Sequence, residues 1–559
     1  MIYTGCGFHM FKKRRLTKDG FVEGAFVSTS GIVISKILGM LYVIPFYALI
    51  KDRGGALYGY AYTIYMLFLA LSTAGIPLAI SKIISEYQTL GYYKTKERTF
   101  RLAKRLALLL GLICFIILFF AAPLIAKIIL GNNTGGNSIS DVVHVIRIID
   151  TAILIVPILS VYRGYLSGHR YLTPSSVSNV IEQIVRVTVI ILGSLLSVKV
   201  FHLKLHTTVG IALFGATLGA LVAFFYLASV VYKNRGILSR KIMNAKEPKI
   251  SNKIIIRKIL IYAIPFIMID LSKSIYDFVD MSTVVRTISD MKNYTSSDAE
   301  VIMSVISTWG SKFNMIISAI STGIMASLIP NLTQSFVKKD QDEINKKVNK
   351  TFQMLLVFTV PMTIGLSLLA KPIWFLFYGS SKLGPSVFSF YIFIALFVTT
   401  FTVAITILQI FKDYKAVLIS LLVGIILKVL LNVTFMENFN SMGLPPYYGN
   451  ITATILGYFS SLLVCLYFIK KKYKVNYEST LKEVINIIFA TLFMMITIIL
   501  LRFVLPIYSL VRVVNIPIII CYTLIGGMVY FFLLSKTNTL NNIFGNNYLE
   551  KMLSKNKKM

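Results

Sequence analysis

Charged residues are scarce in this chain of 559 residues: only 14% are Asp, Glu, Lys or Arg, whereas 56% are hydrophobic. A soluble protein of this length could not cover its surface with so few charges. Apolar stretches recur from one end of the chain to the other, and each is long enough to cross the ~30 Å hydrocarbon core of a bilayer. The shortage of charge therefore excludes a soluble protein and predicts an all-α integral membrane protein.

Acidic residues are scarcer still, since 23 Asp and Glu stand against 57 Lys and Arg, and the formal net charge is +34. In a soluble protein such an excess would indicate nucleic-acid binding. In a membrane protein Lys and Arg accumulate in cytoplasmic loops, and this rule explains most of the charge. No nucleic-acid partner is therefore expected.

Motifs for catalysis and for metal binding are missing as well. The nearest match to a phosphate-binding Walker A loop, residues 131–138, has Asn137 where lysine is required. The four cysteines are scattered without metal-binding spacing. His202 and His206 lie in a predicted external loop and are better explained as solvated side chains than as metal ligands. The sequence predicts neither an enzyme nor a resident metal or cofactor.

About fourteen apolar segments are long enough to be transmembrane helices. The loops on one side contain about 36 Lys and Arg and those on the other side about 8, so the first side is predicted to be cytoplasmic. Both termini then lie in the cytoplasm, which agrees with an even number of spans. The predicted spans are residues 23–50, 57–84, 102–130, 142–166, 175–199, 207–232, 254–285, 304–330, 348–378, 384–410, 414–436, 449–470, 481–505 and 510–534.

A weak internal repeat suggests how the helices are grouped. Residues 70–87 and 319–336 both place a Ser-Thr pair and a proline in an apolar helix that leads into a charged cytoplasmic loop. Two six-helix lobes related by a pseudo-twofold axis along the membrane normal would produce this pattern. The predicted units are a cytoplasmic segment 1–22, an N-lobe 23–232, a basic cytoplasmic linker 233–258, a C-lobe 259–470, two C-terminal helices within 471–534 and a cytoplasmic tail 535–559.

Charged residues inside the predicted spans are the candidates for a binding site, since an ionised side chain at the bilayer centre costs roughly 2.5–3.5 kcal/mol. Lys36 lies near the middle of the first span, where its ammonium group is too deep to reach the interface easily. Glu182 and Arg186 are spaced to pair on one helix face. For the candidates near helix ends, snorkelling to the interface is the alternative explanation. The other cationic candidates are Lys82, Arg147, Arg163, Lys312 and Lys428.

The seventh predicted span contains a stripe of charge. Asp270, Lys273, Asp277 and Asp280 recur at spacings of three, four and three, which places them on one helical face. One interpretation is a cavity wall or a relay for a coupling ion or proton, because three carboxylates against one lysine leave an excess of negative charge. The alternative is a structural stripe whose charges neutralise one another.

Three stretches then resemble a known family: SKILGMLYVIPFYALI (35–50), LSTAGIPLAISKIISEY (71–87) and RGYLSGHRYLTPSSVSNVIEQIVRV (163–187). They resemble the polysaccharide-transporter branch of the multidrug/oligosaccharidyl-lipid/polysaccharide (MOP) exporter superfamily, and most of all its Gram-positive MurJ-type lipid II flippases and the stage V sporulation protein B group. The resemblance runs through nearly the whole chain. It implies fourteen helices in two lobes, inward- and outward-facing states, and a central cationic cavity.

The resemblance also implies roles for particular residues. Lys36 matches the basic position of the family motif S-[KR]-x-L-G and is implied to contact a substrate phosphate, while Lys82 and Arg163 match further basic positions. A second basic residue that follows in the first helix of Gram-negative members is missing, since residues 40–42 read MLY. That contact is absent or supplied elsewhere. Asp280 matches an acidic position, whereas the other charges of the stripe have no counterpart in the family pattern.

These observations favour a flippase that moves an undecaprenyl-diphosphate-linked saccharide, with the peptidoglycan precursor lipid II as the leading candidate, from the inner to the outer leaflet. A cationic cavity between two lobes suits such an anion. The membrane potential, worth ~2.3 kcal/mol per charge per 100 mV, is the expected energy source, and Na⁺ or H⁺ is a candidate coupling cation. The candidate substrate-binding residues are Lys36, Lys82, Arg147, Arg163, Glu182 and Arg186, and the candidate relay is the stripe of the seventh span.

Three alternatives stay open: a flippase for a capsule, teichoic-acid or spore-cortex intermediate, a cation-coupled drug antiporter of the MATE type, and a scaffold that transports nothing. An antiporter should have mainly acidic cavity residues, and only the seventh span offers them. The expected partners are the lipid-linked oligosaccharide, membrane lipids and proteins of cell-wall synthesis. The expected location is the bacterial cytoplasmic membrane.

Overall fold

A computed structural model of the chain describes residues 31–544, except 32, 33, 37, 41, 74, 132–135, 239–246 and 510. The predicted segment 1–22, residues 545–559 of the predicted tail and the middle of the predicted linker lie outside the described residues. The described residues form helices joined by short connections, with no strand among them. The prediction of an all-α membrane protein is confirmed.

The helices of the first half follow a short helical stretch at residues 34–40. Two irregular helical turns lie between helices of this half. They are a 3₁₀ turn at Thr151–Leu154 and a π-helical turn at Val189–Gly193. The helices are α1 (Val43–Thr73), α2 (Ile76–Thr89), α3 (Tyr93–Leu130), α4 (Ile139–Asp150), α5 (Val156–Gly168), α6 (Leu172–Thr188), α7 (Ser194–Lys199), α8 (Leu205–Lys233) and α9 (Arg235–Leu238).

The second half begins with the long helix that contains the charged stripe. A π-helical turn at Val305–Trp309 joins the next two helices, and a 3₁₀ turn at Arg512–Val514 precedes the last long one. The helices are α10 (Asn252–Ser289), α11 (Ser296–Ser304), α12 (Ser311–Lys338), α13 (Gln341–Leu368), α14 (Ala370–Tyr378), α15 (Gly384–Tyr391), α16 (Phe393–Ile410), α17 (Tyr414–Ser441), α18 (Pro446–Tyr473), α19 (Glu478–Leu501), α20 (Asn515–Lys536) and α21 (Thr539–Phe544).

Two backbone breaks divide the first helices. Within α1, Lys51 has φ 56° and ψ −163°, so one helical segment ends there and another begins, close to the predicted boundary between the first two spans. Between α1 and α2, Gly75 has φ 73°, and a Cβ atom there would lie 2.6 Å from the carbonyl oxygen of Ala263. Only glycine fits this position, because the backbone is left-handed and α10 approaches it closely.

Local sequence signals explain where several helices begin. At the start of α4, the Ser138 hydroxyl accepts a hydrogen bond from the Asp141 amide (3.2 Å), and the Asp141 carboxylate accepts one from the Ser138 amide (3.1 Å). Thr295 and Asp298 form the same reciprocal pair before α11. Such capping boxes satisfy backbone groups that the first helical turn leaves unpaired.

Eleven helical segments among the described residues are long and apolar enough to cross a membrane. Predicted spans 254–285 and 304–330 are not among these eleven, but the first lies inside α10 and the second runs from α11 into α12. Predicted span 23–50 overlaps residues outside the described ones. The chain is thus a multi-pass membrane protein, and the count of fourteen spans stays a prediction.

Helix α10 connects the two halves of the chain. It packs against α1, α2 and α3 of the first half and against α17 and α18 of the second. The two stretches of the proposed repeat differ in backbone, since residues 70–87 are interrupted at Gly75 whereas residues 319–336 lie in α12. The grouping into two six-helix lobes therefore stays a prediction. The fold shows that α10 packs against α2, the helix that carries Lys82.

Candidate functional site

A cavity of about 330 Å³ lies between the helices of the first half and α12 of the second. It brings together four of the six residues that the sequence predicts to bind substrate, and we call it the central cavity. Its charged lining residues come from the stretch 34–40, from α5, from α6 and from α12. They are Lys36, Arg163, Glu182, Arg186 and Lys312.

Glu182 holds the two arginines of the central cavity. Its Oε2 atom lies 2.8 Å from Arg163 Nη2, and its Oε1 atom lies 2.5 Å from Arg186 Nη2. Arg163 Nε also donates to the Ser178 hydroxyl at 2.9 Å. The predicted pairing of Glu182 with Arg186 is present, and Arg163 joins it from another helix. One carboxylate thus fixes two guanidinium groups at the cavity wall without neutralising both.

Lys36 and Lys312 line the same cavity without an acidic partner. No described carboxylate oxygen lies within 4.0 Å of either ammonium group. Lys312 lies over the ring of Tyr42 at 5.4 Å, and Lys36 is half-buried beside it. Residues 40–42 of the first helix contain no basic residue. Lys312 supplies a positive charge to the cavity instead. With the two arginines and Glu182, the cavity has a formal excess of three positive charges.

The other two predicted substrate contacts, Lys82 and Arg147, do not line the central cavity. Lys82 lies on α2, and its ammonium group is 4.0 Å from the centroid of the Tyr262 ring on α10. Arg147 lies on α4, where its guanidinium group stacks on Phe119 of α3 at 4.6 Å. Both are cations in or near spanning helices, but helix rotation turns them toward other surfaces.

The charged stripe of α10 divides into an exposed part and a buried part. Asp270, Lys273 and Asp277 are exposed, whereas Asp280 is only 5% exposed. Lys273 forms no ion pair with a described carboxylate, so the stripe does not neutralise itself within one helix. None of these three residues lines the central cavity.

Asp280 belongs instead to a buried polar cluster between α10, α17 and α18. Its carboxylate pairs with the ammonium group of Lys428 and accepts a hydrogen bond from Asn450 Nδ2 at 2.6 Å. Lys428 also donates to Asn432 Oδ1 at 2.8 Å and to Thr454 Oγ1 at 2.5 Å. We call these five residues the polar cluster. Every charge in it has a partner, as burial of ionised groups requires.

The two halves of the chain contact each other at two separate places. Near α4, the Asn137 amide donates to Glu300 Oε1 at 2.6 Å, and the Thr308 hydroxyl donates to the Gly55 carbonyl at 2.9 Å. Elsewhere, Lys258 of α10 pairs with Glu86 of α2 at 2.6 Å. These contacts would have to break for the two halves to separate.

The polar but uncharged residues of the cavity wall were not predicted from the sequence. They include Tyr58 and Tyr62, whose rings stack at 5.7 Å, and the α6 residues Asn179 and Gln183. A signal existed on α6, because residues 179, 182, 183 and 186 recur at helical spacing and place four polar groups on one face. No comparable pattern marks the tyrosines.

In the described part of the chain, no group of three His, Cys, Asp or Glu residues is arranged to hold a metal ion. His206 Nδ1 instead lies 2.7 Å from Asp141 Oδ1, and the rings of His206 and His144 are 5.2 Å apart. His202 and His206 are therefore not a pair of solvated side chains as the spacing suggested, because one of them is engaged with the capping residue of α4.

Comparison with solved structures finds the same helical fold in two transport proteins. A structure described as the lipid II flippase MurJ in an inward closed conformation matches with a TM-score of 0.66 and 18% identity, covering 90% of this chain and 99% of that one. An inward-facing MATE-family multidrug resistance transporter matches with a TM-score of 0.61 and 14% identity, covering 80% and 98%. The chain shares the fold of these two proteins.

Sequence comparison narrows the class to a family. The model of the family described as polysaccharide biosynthesis protein matches residues 21–336. The lipid II flippase MurJ of Bacillus subtilis (strain 168) is 32% identical over 533 residues, which cover 94% of this chain and 96% of that one. The chain therefore belongs to the polysaccharide biosynthesis protein family, among its MurJ-like members, and the resemblance of the three sequence stretches is confirmed.

Proposed function

We propose that the protein is a flippase that moves an undecaprenyl-diphosphate-linked saccharide, with lipid II as the substrate, from the inner to the outer leaflet. The observation that carries the proposal is the central cavity, where Lys36 and Lys312 have no acidic partner and the formal charge is positive. A diphosphate matches such a site by charge and by its several hydrogen-bond acceptors. The similarity to MurJ along nearly the whole chain supports the same substrate.

The proposed cycle depends on which cations of the central cavity are already paired with a carboxylate. Arg163 and Arg186 are held by Glu182, so they shape the wall, and the two lysines bind the diphosphate directly. Meanwhile the prenyl tail stays in lipid. A saccharide head group is larger than a cavity of about 330 Å³. Loading therefore requires the halves to separate at the end where Lys258 pairs with Glu86, and release requires separation at the opposite end.

The proposal places the Lys258–Glu86 end and both termini in the cytoplasm, in agreement with the excess of Lys and Arg in the loops of that side. Outward movement of an anionic head group is then favoured by an inside-negative membrane potential. The partners of the cycle are the lipid-linked oligosaccharide and membrane lipids, together with proteins of cell-wall synthesis that use the product.

A coupling cation, Na⁺ or H⁺, has fewer candidate sites than the sequence suggested. Asp280 is neutralised by Lys428, so a relay there would first have to break a buried pair. Asp270 and Asp277 are exposed and form no ion pair with a described cation. The proposal therefore assigns any cation coupling to these two carboxylates.

Complementation of a strain depleted of its essential lipid II flippase tests the proposal, with lipid II in the inner leaflet as the readout. The expected result is rescue of growth together with clearance of inner-leaflet lipid II. The matched control is the Lys127→Ala protein, which loses an exposed cation of α3 outside the cavity and should rescue equally well. A folded, inserted protein that neither rescues growth nor clears lipid II would contradict lipid II as substrate and favour another undecaprenyl-linked glycan.

A further inference from the structure

A second cavity, of about 600 Å³, opens on the side of the first half, away from the central cavity. We call it the lateral pocket. Its polar lining consists of Ser140, His144 and Arg147 of α4 and Thr151 of the following 3₁₀ turn, and its apolar lining includes Val143 and Phe214. Since Arg147 is one of the two predicted substrate contacts that the central cavity does not include, its role needs a different explanation.

Arg147 has a positive charge that the protein itself does not neutralise. Its Nε atom makes a long hydrogen bond of 3.4 Å to the Phe119 carbonyl, and its guanidinium group stacks on the Phe119 ring. The described chain offers it no carboxylate oxygen within 4.0 Å. Of the nearest acidic residues on α4, Asp141 pairs with His206, and Asp150 is fully buried. The guanidinium group of Arg147 is therefore available to pair with an anion from outside the chain.

The depth of Arg147 matches the phosphate level of a lipid leaflet. Ile139–Gly168 is a segment of 30 residues, about 45 Å long at 1.5 Å per residue. It exceeds the ~30 Å hydrocarbon core by about 7 Å at each end if it is centred. Arg147 lies eight residues from Ile139, about 12 Å along the axis, and so about 5 Å inside the core. A long arginine side chain at that depth reaches the interface.

The lateral pocket is also accessible to lipid. Phe214 lines it and is 38% exposed, and Ile148, the residue after Arg147 in the direction of the bilayer centre, lines it as well. Apolar surface of this kind on a spanning helix contacts acyl chains. A pocket with one cation at interface depth and an apolar wall beneath it fits an amphiphile with an anionic head, rather than a wholly soluble anion.

We propose that the lateral pocket binds the phosphate of an anionic phospholipid, with Arg147 as the donor to the phosphate and Ile148 and Phe214 against an acyl chain. Because α4 begins at the end of the bundle that the charge distribution places outside, the lipid belongs to the outer leaflet. Inorganic phosphate shares the head-group chemistry but has no chain to occupy the apolar wall.

Native mass spectrometry of the purified full-length protein tests this site by titration with phosphatidylglycerol. The Arg147→Gln protein should bind the tightest phosphatidylglycerol about tenfold more weakly than the unchanged protein, since it loses a charge-assisted contact. Lys127→Gln removes an exposed cation of α3 outside the pocket and should bind as the unchanged protein does. Diacylglycerol, which has the chains but no phosphate, should show no dependence on Arg147.

Two further measurements make the outcome decisive. Val143→Phe fills the pocket without removing charge, so it should also weaken phosphatidylglycerol binding, and it carries the test if Arg147→Gln does not fold. Inorganic phosphate should neither bind detectably nor displace phosphatidylglycerol. A folded Arg147→Gln or Val143→Phe protein with unchanged affinity would overturn the site. Displacement by inorganic phosphate that depends on Arg147 would overturn the lipid as the ligand.

Discussion

The central cavity and the polar cluster contain the same kinds of side chain in apolar helices. Every charge is paired in the polar cluster, whereas two lysines of the central cavity have no acidic partner among the described residues. In the polar cluster, Lys428 is fully buried and is surrounded by Asp280 and three uncharged oxygen atoms that accept its hydrogen bonds. In the central cavity, Lys36 and Lys312 face open space without an acidic partner. The first arrangement joins helices, and the second leaves charge available to a ligand.

The difference shows that an ionisable residue in a spanning helix is not by itself a sign of a binding site. What distinguishes the two regions is whether the surrounding helices supply enough opposite charge and enough hydrogen-bond acceptors. Glu182 lies between these extremes, because it satisfies part of the charge of two arginines and leaves the rest. Variants that remove one charge at a time should separate the two regions by their effect on stability and on transport.

The largest effect is expected for Lys428→Met in the polar cluster. Loss of the ammonium group leaves the Asp280 carboxylate buried without a counter-charge, which costs about 3–5 kcal/mol. The measurement is the thermal unfolding of the purified protein in detergent. The double variant Lys428→Met with Asp280→Leu removes both charges and should recover most of the loss. A single variant as stable as the unchanged protein would show that the pair does not hold the helices together.

Lys36→Ala should abolish transport while the protein stays folded. No described partner loses an ion pair, so the expected change in unfolding free energy is below about 1 kcal/mol, but the cavity loses one of its two unpaired cations. Complementation of the flippase-depleted strain, with membrane insertion checked by quantitative blotting, measures both effects. Lys127→Ala is the control for loss of a lysine outside the cavity. Full complementation by Lys36→Ala would contradict the cationic-cavity proposal.

Asp277→Asn should change the dependence of transport on the coupling cation or on the membrane potential. The carboxylate is exposed on α10 and has no ion-pair partner among the described residues. Transport into proteoliposomes at varied Na⁺, pH and imposed potential is the measurement, with Asp290→Asn at the end of α10 as the control. If all three dependences are unchanged, the stripe is structural in this protein.

The smallest effect is expected outside the membrane, at Glu247 in the predicted linker. Slight burial opposes its ionisation, but its carboxylate accepts hydrogen bonds from the backbone amides of Lys94 (2.8 Å) and Thr95 (3.0 Å) and from the Thr95 hydroxyl. These bonds hold the pKa of Glu247 below its ordinary value of 4.5. The carboxylate thereby caps the amino terminus of α3.

Glu247→Gln should therefore lower the free energy of unfolding by about 1 kcal/mol at neutral pH, as loss of a helix cap does. Because the folded-state pKa is depressed, the stabilisation is present above pH 4.5 and disappears as the pH falls through the folded-state value. Unfolding curves of both proteins from pH 7 downward should converge in acid. A difference that persists at the lowest pH would show that the carboxylate charge is not the cause, and Glu437→Gln controls for an exposed glutamate elsewhere.

Much of the fold was predictable because it depends on local sequence. Apolar length predicts most of the spans, and helical spacing predicts which charges of one helix share a face. Within one helix the predictions also hold for side chains, as the pairing of Glu182 with Arg186 on α6 shows. The resemblance to the polysaccharide-transporter branch added a role for Lys36, and the structure places Lys36 at the central cavity.

The sequence by itself thus determined the class of protein, the approximate spans and the set of charges inside the membrane. Only the tertiary structure decided which of those charges meet. Asp280 and Lys428 are far apart in the chain, Lys312 reaches the cavity from the second half, and Arg147 turns toward the lateral pocket. The physical reason is that helical periodicity determines which residues share a face, whereas packing against neighbouring helices determines where that face points.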